Sequence, residues 1–220
     1  CIDINAGNYD SEALIFDNSC IYSDRRFLVP GEYSKIQDAV FFTSPGDTVL
    51  VEPGTYYEEI DFLEKGISLI STSGPEQTII IANTNNDGGS GVYEPDRSVI
   101  TIKDVISQTA TLDGFTLQEG HGKGVNFEYF VSVASDPSMF NDMMYNLIKS
   151  GGIAVINSSI TLSNIIIKNN TAQNFGAGIG LVNSNSVLEN IIIENNQIFD
   201  GDALGGAGIA INGGTTSIDN

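Results

Sequence analysis

The residues of this chain that could do chemistry are mostly carboxylates. Asp and Glu number 28 against nine Lys and Arg and one His, which sets a formal charge of −19. Asp200 and Asp202 stand one residue apart in the turn after Ile198 and form the candidate metal site. Two carboxylates at that spacing can share a hard cation, and Ca²⁺ is the only cofactor the sequence suggests. The alternative for this pair is a solvated acidic loop. His121, the lone imidazole, lies in Glu119-Gly120-His121-Gly122-Lys123-Gly124. A general base needs a nucleophile or an orienting acid beside it, and none is recognisable, so the segment reads as a hinge-like junction. No residue is assigned a catalytic role.

Stacking is the other chemistry on offer. Residues 125–149 carry Phe127, Tyr129, Phe130, Phe140 and Tyr145, together with all three Met. Aromatic faces pack on sugar rings and anchor protein partners, which makes Phe127, Tyr129 and Tyr145 candidate ligand-binding residues. The simpler alternative is that they bury a patch of the scaffold beneath them. Cys1 and Cys20 form a candidate disulfide closing a loop of 18 intervening residues, worth roughly 3 kcal/mol by loop entropy. Free thiols, or a lipid-anchored Cys1 as in a bacterial lipoprotein, are the alternatives. Two glycosylation-type sequons, Asn157-Ser158-Ser159 and Asn169-Asn170-Thr171, carry little weight in a repeat this rich in Asn.

The elements that must position these side chains follow from composition and period. At 220 residues and 41% hydrophobic content, the chain can build a single core. A nucleic-acid partner would need a basic face, which nine Lys and Arg do not supply. No apolar run is long enough for a transmembrane helix, and no cationic stretch leads into an apolar one as a signal peptide would require. The chain holds 29 Ile and 21 Asn, with 24 Gly and no Trp. Ile favours strands, while Asn and Gly accept the backbone of tight turns, so the class is all-β.

Residues 1–29 show no sustained period and read as an N-terminal cap or flap. The one helical pattern runs from Tyr33 to Phe42, with Ile36, Ala39 and Val40 on one face, Ser34 as cap and Ser44-Pro45-Gly46-Asp47 as stop. Thr48–Val51, Tyr56–Phe62, Ile67–Ile70 and Thr78–Ile81 then read as short strands. The decisive signal is repetition. Gly152-Ile153-Ala154-Val155-Ile156-Asn157 recurs as Gly178-Ile179-Gly180-Leu181-Val182-Asn183, and Asn164-Ile165-Ile166-Ile167 recurs as Asn190-Ile191-Ile192-Ile193, both at an offset of 26. A third copy begins at Gly208, offset by 30, and an earlier one at Thr111 is offset by 50 from Thr161. The longer offset places an insertion at about residues 119–150. Such a period, with short strands and no helical half, predicts a parallel β-helix whose equivalent residues stack about 4.8 Å apart. Ile165 should then lie under Ile191 and Ile167 under Ile193. Asn164, Asn190 and Asn220 should share one corner, and Asn170 and Asn196 another.

Ile36-Gln37-Asp38-Ala39-Val40, Ser44-Pro45-Gly46-Asp47-Thr48-Val49-Leu50-Val51 and Pro53-Gly54-Thr55-Tyr56-Tyr57-Glu58-Glu59-Ile60 together resemble the opening of the right-handed parallel β-helix, or pectin-lyase-like, superfamily. Leu112-Asp113-Gly114-Phe115-Thr116-Leu117 and the Gly-Gly-Ile repeats are similar to its bacterial secreted and surface members. The resemblance covers roughly residues 30–220 and implies a fold, because lyases, hydrolases, tailspikes and adhesins share it. Gly54-x-Tyr56-x-Glu58 matches the first motif of the pectin methylesterases, whose catalytic motifs have no counterpart here; Tyr56 is read as packing and Glu58 as surface. Lyases of the superfamily pair Ca²⁺-binding acids with a Lys or Arg. Arg97, Lys103, Lys123, Lys149 and Lys168 do not share a repeat phase with an acidic cluster.

The expectation is therefore an all-β, right-handed parallel β-helix solenoid over residues 30–220, with a short N-terminal capping helix and one large side insertion. It continues beyond residue 220, or else associates end to end at that edge. Its expected role is an extracellular or cell-surface, non-catalytic module binding a glycan or a surface protein, adhesin-like. The alternatives are a polysaccharide lyase or glycoside hydrolase acting on acidic polysaccharide, and a structural subunit of a surface fibre.

Overall fold

A computed structural model describes residues 10–12, 25–82, 98–106, 110–122, 150–173, 175–199 and 206–219. Among these it contains one helix and sixteen strands, and every strand pairing is parallel. Successive passes of the chain lie directly over one another and build three faces. The first stacks β1 (Arg26–Val29), β2 (Thr48–Val51), β5 (Ser68–Ser71), β8 (Ala110–Asp113), the first half of β12 (Ser159–Lys168), the middle of β14 (Ile179–Glu194) and the end of β16 (Ile209–Asp219). The second stacks β3 (Gly54–Tyr57), β6 (Thr78–Ile81), β9 (Thr116–Gln118) and the later halves of β12 and β14. The third stacks β4 (Ile60–Asp61), β7 (Ile100–Lys103), β11 (Ile153–Ile156) and the starts of β14 and β16. A small sheet of β10 (His121–Gly122), β13 (Thr171–Ala172) and β15 (Gln197–Ile198) adds a short flank. This is the all-β parallel β-helix solenoid expected from the sequence.

The register is the repeat made physical. Ile165 pairs with Ile191 and Ile167 with Ile193, at the offset of 26. Ile160 pairs with Ala110 across the offset of 50, and Ile179 with Ile209 across that of 30. Alternation along each strand sends every second residue inward, so like side chains form interior ladders. Leu69, Leu112, Leu162 and Leu188 make one such ladder, and all four are fully buried. Each contributes about 1.5–3 kcal/mol by leaving water.

Corners need backbone of the opposite hand, and here the Asn content finds its use. At one corner Asp104, Asn157 and Asn183 are stacked with φ of 54°, 46° and 46°; at the next, Asn164 and Asn190 have φ of 52° and 53°; at the third, Asn169 and Asn195 have 56° and 54°. Asn is among the few non-glycine residues that visit this region readily. Just inside the third corner Asn170 and Asn196 form a ladder of their own: Asn170 Nδ2 donates to Asn196 Oδ1 at 3.0 Å, and Asn170 Oδ1 accepts from the Gly120 amide at 2.8 Å. Where coils approach closely, only glycine fits. A Cβ on Gly178 would lie 2.5 Å from the Gly208 carbonyl oxygen.

Helix α1 (Ile36–Phe42) buries Ile36, Ala39 and Val40 against the first coil, the stripe expected of it. Its start differs from expectation. The residue before the first turn is Lys35, with no side-chain cap, and Ser34 does not serve as one. Instead Glu58 reaches in from the β3–β4 connection and accepts from the Ile36 and Gln37 amides, both at 3.0 Å. A carboxylate suits the positive end of the helix, and a distant residue supplies what a local cap would otherwise provide. Lys65 closes the other end, donating to the Val40 and Phe41 carbonyls at 2.9 and 2.8 Å. The stretch 56–62 is two strands, because the chain turns between β3 and β4 to carry that carboxylate.

The candidate disulfide residues Cys1 and Cys20, the aromatic candidates Phe127, Tyr129 and Tyr145, the acidic pair Asp200 and Asp202, and the corner residue Asn220 all lie outside the described residues.

Candidate functional site

An open cleft of about 430 Å³ lies on the outside of the solenoid, at the corner between the first and second faces. Its position follows from three features of the chain. The β5–β6 connection carries Gly74, Pro75 and Glu76 outward as one wall. Ser71 shapes that connection: its Oγ accepts from the Gly74 amide at 3.0 Å and is hydrogen-bonded to Thr78 Oγ1 at 2.6 Å. Thr116 Oγ1 holds the wall from the next coil by donating to the Pro75 carbonyl at 2.8 Å.

The floor is Gly114. Its φ of +83° is one L side chains rarely adopt, and an added Cβ would sit 3.1 Å from that of Ser71. A side chain here would partly fill the cleft as well as strain the turn. In the next two coils the same corner position is held by Asn164 and Asn190.

These residues form two parallel tracks along the solenoid axis. The polar track begins at Asp113. Its Oδ1 accepts from Ser163 Oγ at 2.9 Å and from Asn164 Nδ2 at 2.8 Å, and Asn164 Oδ1 accepts in turn from Asn190 Nδ2 at 3.2 Å. The apolar track is Ile166 stacked over Ile192, with Thr116 above them in register. Both isoleucines point outward, and Ile192 is 53% exposed. Outward isoleucines beside an ordered row of polar groups make an amphipathic strip, whose apolar side offers contact and whose polar side fixes orientation.

Other residues singled out from sequence resolve differently. His121 is an ordered strand residue of β10, paired with Thr171 of β13, and its Nδ1 hydrogen-bonds to Thr171 Oγ1. The junction expected there from the flanking glycines is built as sheet. Tyr56 packs against the core as expected, and its hydroxyl donates to the Glu52 carbonyl at 2.8 Å. Burial first, and then the neighbouring Glu52 and Glu58 carboxylates, push its phenol above the ordinary value. Glu58 was expected at the surface, yet its carboxylate is committed to α1, so the whole Gly54-x-Tyr56-x-Glu58 stretch has structural work. Among the described residues, no group of three or more His, Cys, Asp or Glu is placed to hold a metal ion.

The sequence did not mark the cleft. Asn164 and Asn190 were legible as corner residues, and the structure makes them corner and lining at once. A signal was present in the repeat itself: Asp113 stands in register with Ser163 and directly before the glycine that replaces the corner Asn.

No family model and no curated protein matches this chain. Among solved structures, one similar to it is a crystal structure of a pectin methylesterase mutant in complex with a hexasaccharide. The two share 14% identity with a TM-score of 0.44, over 90% of this chain and 67% of the other.

Proposed function

We propose that this chain is a secreted or cell-surface β-helix module that binds a glycan in the cleft between Glu76 and Ile192 and does not cleave it. The observation that carries this reading is the pair of tracks. A pyranose has a ring face of C–H groups and an edge of hydroxyls, and the cleft sets an aliphatic track beside a hydrogen-bonding one. The Asp113 carboxylate is tethered by two donors, which suits an acceptor that orients a ligand. The rigid stack of coils beneath holds both tracks in place, so little ordering cost is left for binding.

Glycan-array screening of the whole chain, followed by titration of the positives, tests the proposal. Ile192→Ser removes the apolar track at an exposed position and should weaken binding about tenfold, equal to about 1.4 kcal/mol, with an unchanged melting temperature. Wild-type affinity in Ile192→Ser would remove the cleft from consideration. Phe127→Ala, Tyr129→Ala and Tyr145→Ala should each retain binding; loss in these and not in Ile192→Ser would move the site to the insertion. Appearance of unsaturated or newly reducing ends during incubation would establish the lyase or hydrolase alternative instead.

A further inference from the structure

We infer that the cleft takes a hydroxyl-bearing sugar edge and turns away uronates. This rests on the glycan reading of the cleft and adds the class of ligand. The argument begins with the direction of the polar track. A carboxylate only accepts, so the bond from Asn164 to Asp113 fixes Asn164 with its Nδ2 toward the acid. Its Oδ1 then faces the next coil, which fixes Asn190 with its own Nδ2 toward Asn164. Ser163 donates to the same Asp113 oxygen. Every donor along three coils therefore points toward Asp113.

What the track leaves over is a mixed set. Each amide keeps one hydrogen not used in the relay, and among the described residues nothing donates to Asp113 Oδ2. Glu76 adds a second carboxylate from the opposite wall. A ligand edge matching this set must both donate and accept. A hydroxyl does both. A sugar carboxylate only accepts, so it would face Asp113 and Glu76 with nothing to give them, inside the field of a chain carrying −19. An ammonium would be drawn to the same two carboxylates, so the exclusion falls on anionic sugars alone. Hydroxyls on successive rings can instead exchange hydrogen bonds with amides on successive coils, while the ring faces lie on Ile166 and Ile192.

The test titrates the whole chain, by calorimetry at low and at high salt, with two probes of similar length: neutral xylo- or manno-oligosaccharides, and oligogalacturonates. The expected result is that a neutral series binds at least about tenfold tighter than the oligogalacturonates, with affinity nearly independent of salt. Asn190→Gly removes the amide and keeps a residue at ease with φ of 53°, so it should weaken the neutral ligand about tenfold in a chain that still melts as wild type. Preferential, salt-sensitive binding of oligogalacturonate would overturn the selectivity and leave the glycan reading standing. Wild-type affinity in Asn190→Gly would overturn the role of the relay. Binding of no sugar in any series would overturn both readings.

Discussion

Asp47 shows how much one side chain can hold in this molecule. It is wholly buried, yet its carboxylate is saturated: Oδ2 accepts from Arg25 Nη2 and from the Ser44 amide, both at 2.7 Å, while Oδ1 accepts from the Arg25 amide at 3.1 Å. The turn leaving α1 and the strand opening the first coil are thus tied to one charge. Asp47→Ala would take the partner from the part-buried Arg25 and Ser44 amides and from the Arg25 guanidinium, and a destabilisation of about 2–4 kcal/mol is expected in urea unfolding. Arg25→Ala should cost less, about 1 kcal/mol, because the guanidinium side chain is half exposed and screened by water. Equal effects would mean that the ion pair, and not the amide bonds, carries the junction. Tyr56 gives a pH-dependent counterpart. Its phenol is raised in the folded state, so the stability it contributes is present below the unfolded value near 10 and is lost as pH rises through the higher folded value. In alkaline titration followed by phenolate absorbance, the wild-type minus Tyr56→Phe difference should therefore ionise later than free tyrosine. A difference titrating at the ordinary value would remove the buried phenol from the account. Of these two residues, the sequence showed Asp47 only as part of a stop signal, because its partner Arg25 lies 22 positions away in a segment without periodicity.

Strands and corners were the most legible level, and the reason is mechanical. A coil that stacks on its neighbour repeats the same physical demands at every turn, so inward Leu and Ile and left-handed Asn return at a fixed interval and can be aligned by eye. Ile165 over Ile191 and Asn170 beside Asn196 followed from that interval alone. What breaks the interval was not legible. The Glu58 cap of α1 and the wall at Glu76 come from connections with no counterpart in later coils, and the cleft exists only where such a connection meets the periodic corner. The same logic yields two element-scale predictions. Asn164→Gly has a backbone free to hold φ of 52°, whereas Asn164→Ala keeps the Cβ and loses the short polar side chain that eases asparagine into this region, at about 1–2 kcal/mol, so the Ala variant should unfold at lower urea than the Gly variant. The reverse order would show that ease in the left-handed region is not what the corner asks of this residue. Gly178→Ala must push two coils apart against the 2.5 Å approach to Gly208, and a loss of about 1–3 kcal/mol is expected. A neutral effect would mean that the stack can breathe at this point.

Stacking also decides how the whole molecule carries its charge. A solenoid repeats side-chain phase, so an acidic residue in one coil tends to meet another directly above it. Glu189 is in register with Asp219, and Asp113 occupies the same column one coil beyond Ser163. Like charges about 4.8 Å apart repel by roughly 1 kcal/mol even in water. Lys168 over Glu194 is the opposite case, and with nine basic residues against 28 acidic ones such compensation is scarce. Folding gathers these columns from a chain that would otherwise hold them apart, so self-repulsion opposes the folded state. Going from about 0.01 M to about 1 M monovalent salt shortens the Debye length from about 30 Å to about 3 Å, which should raise the melting temperature. Glu189→Gln removes the middle charge of the column and should raise stability at low salt while making the melting temperature less salt-dependent. Salt can also act by strengthening apolar burial, but that contribution would be the same in both proteins. The difference between their slopes is therefore the measurement of interest. Parallel slopes would show that the stacked acids are screened by water alone, and that the coils carry their charge without strain.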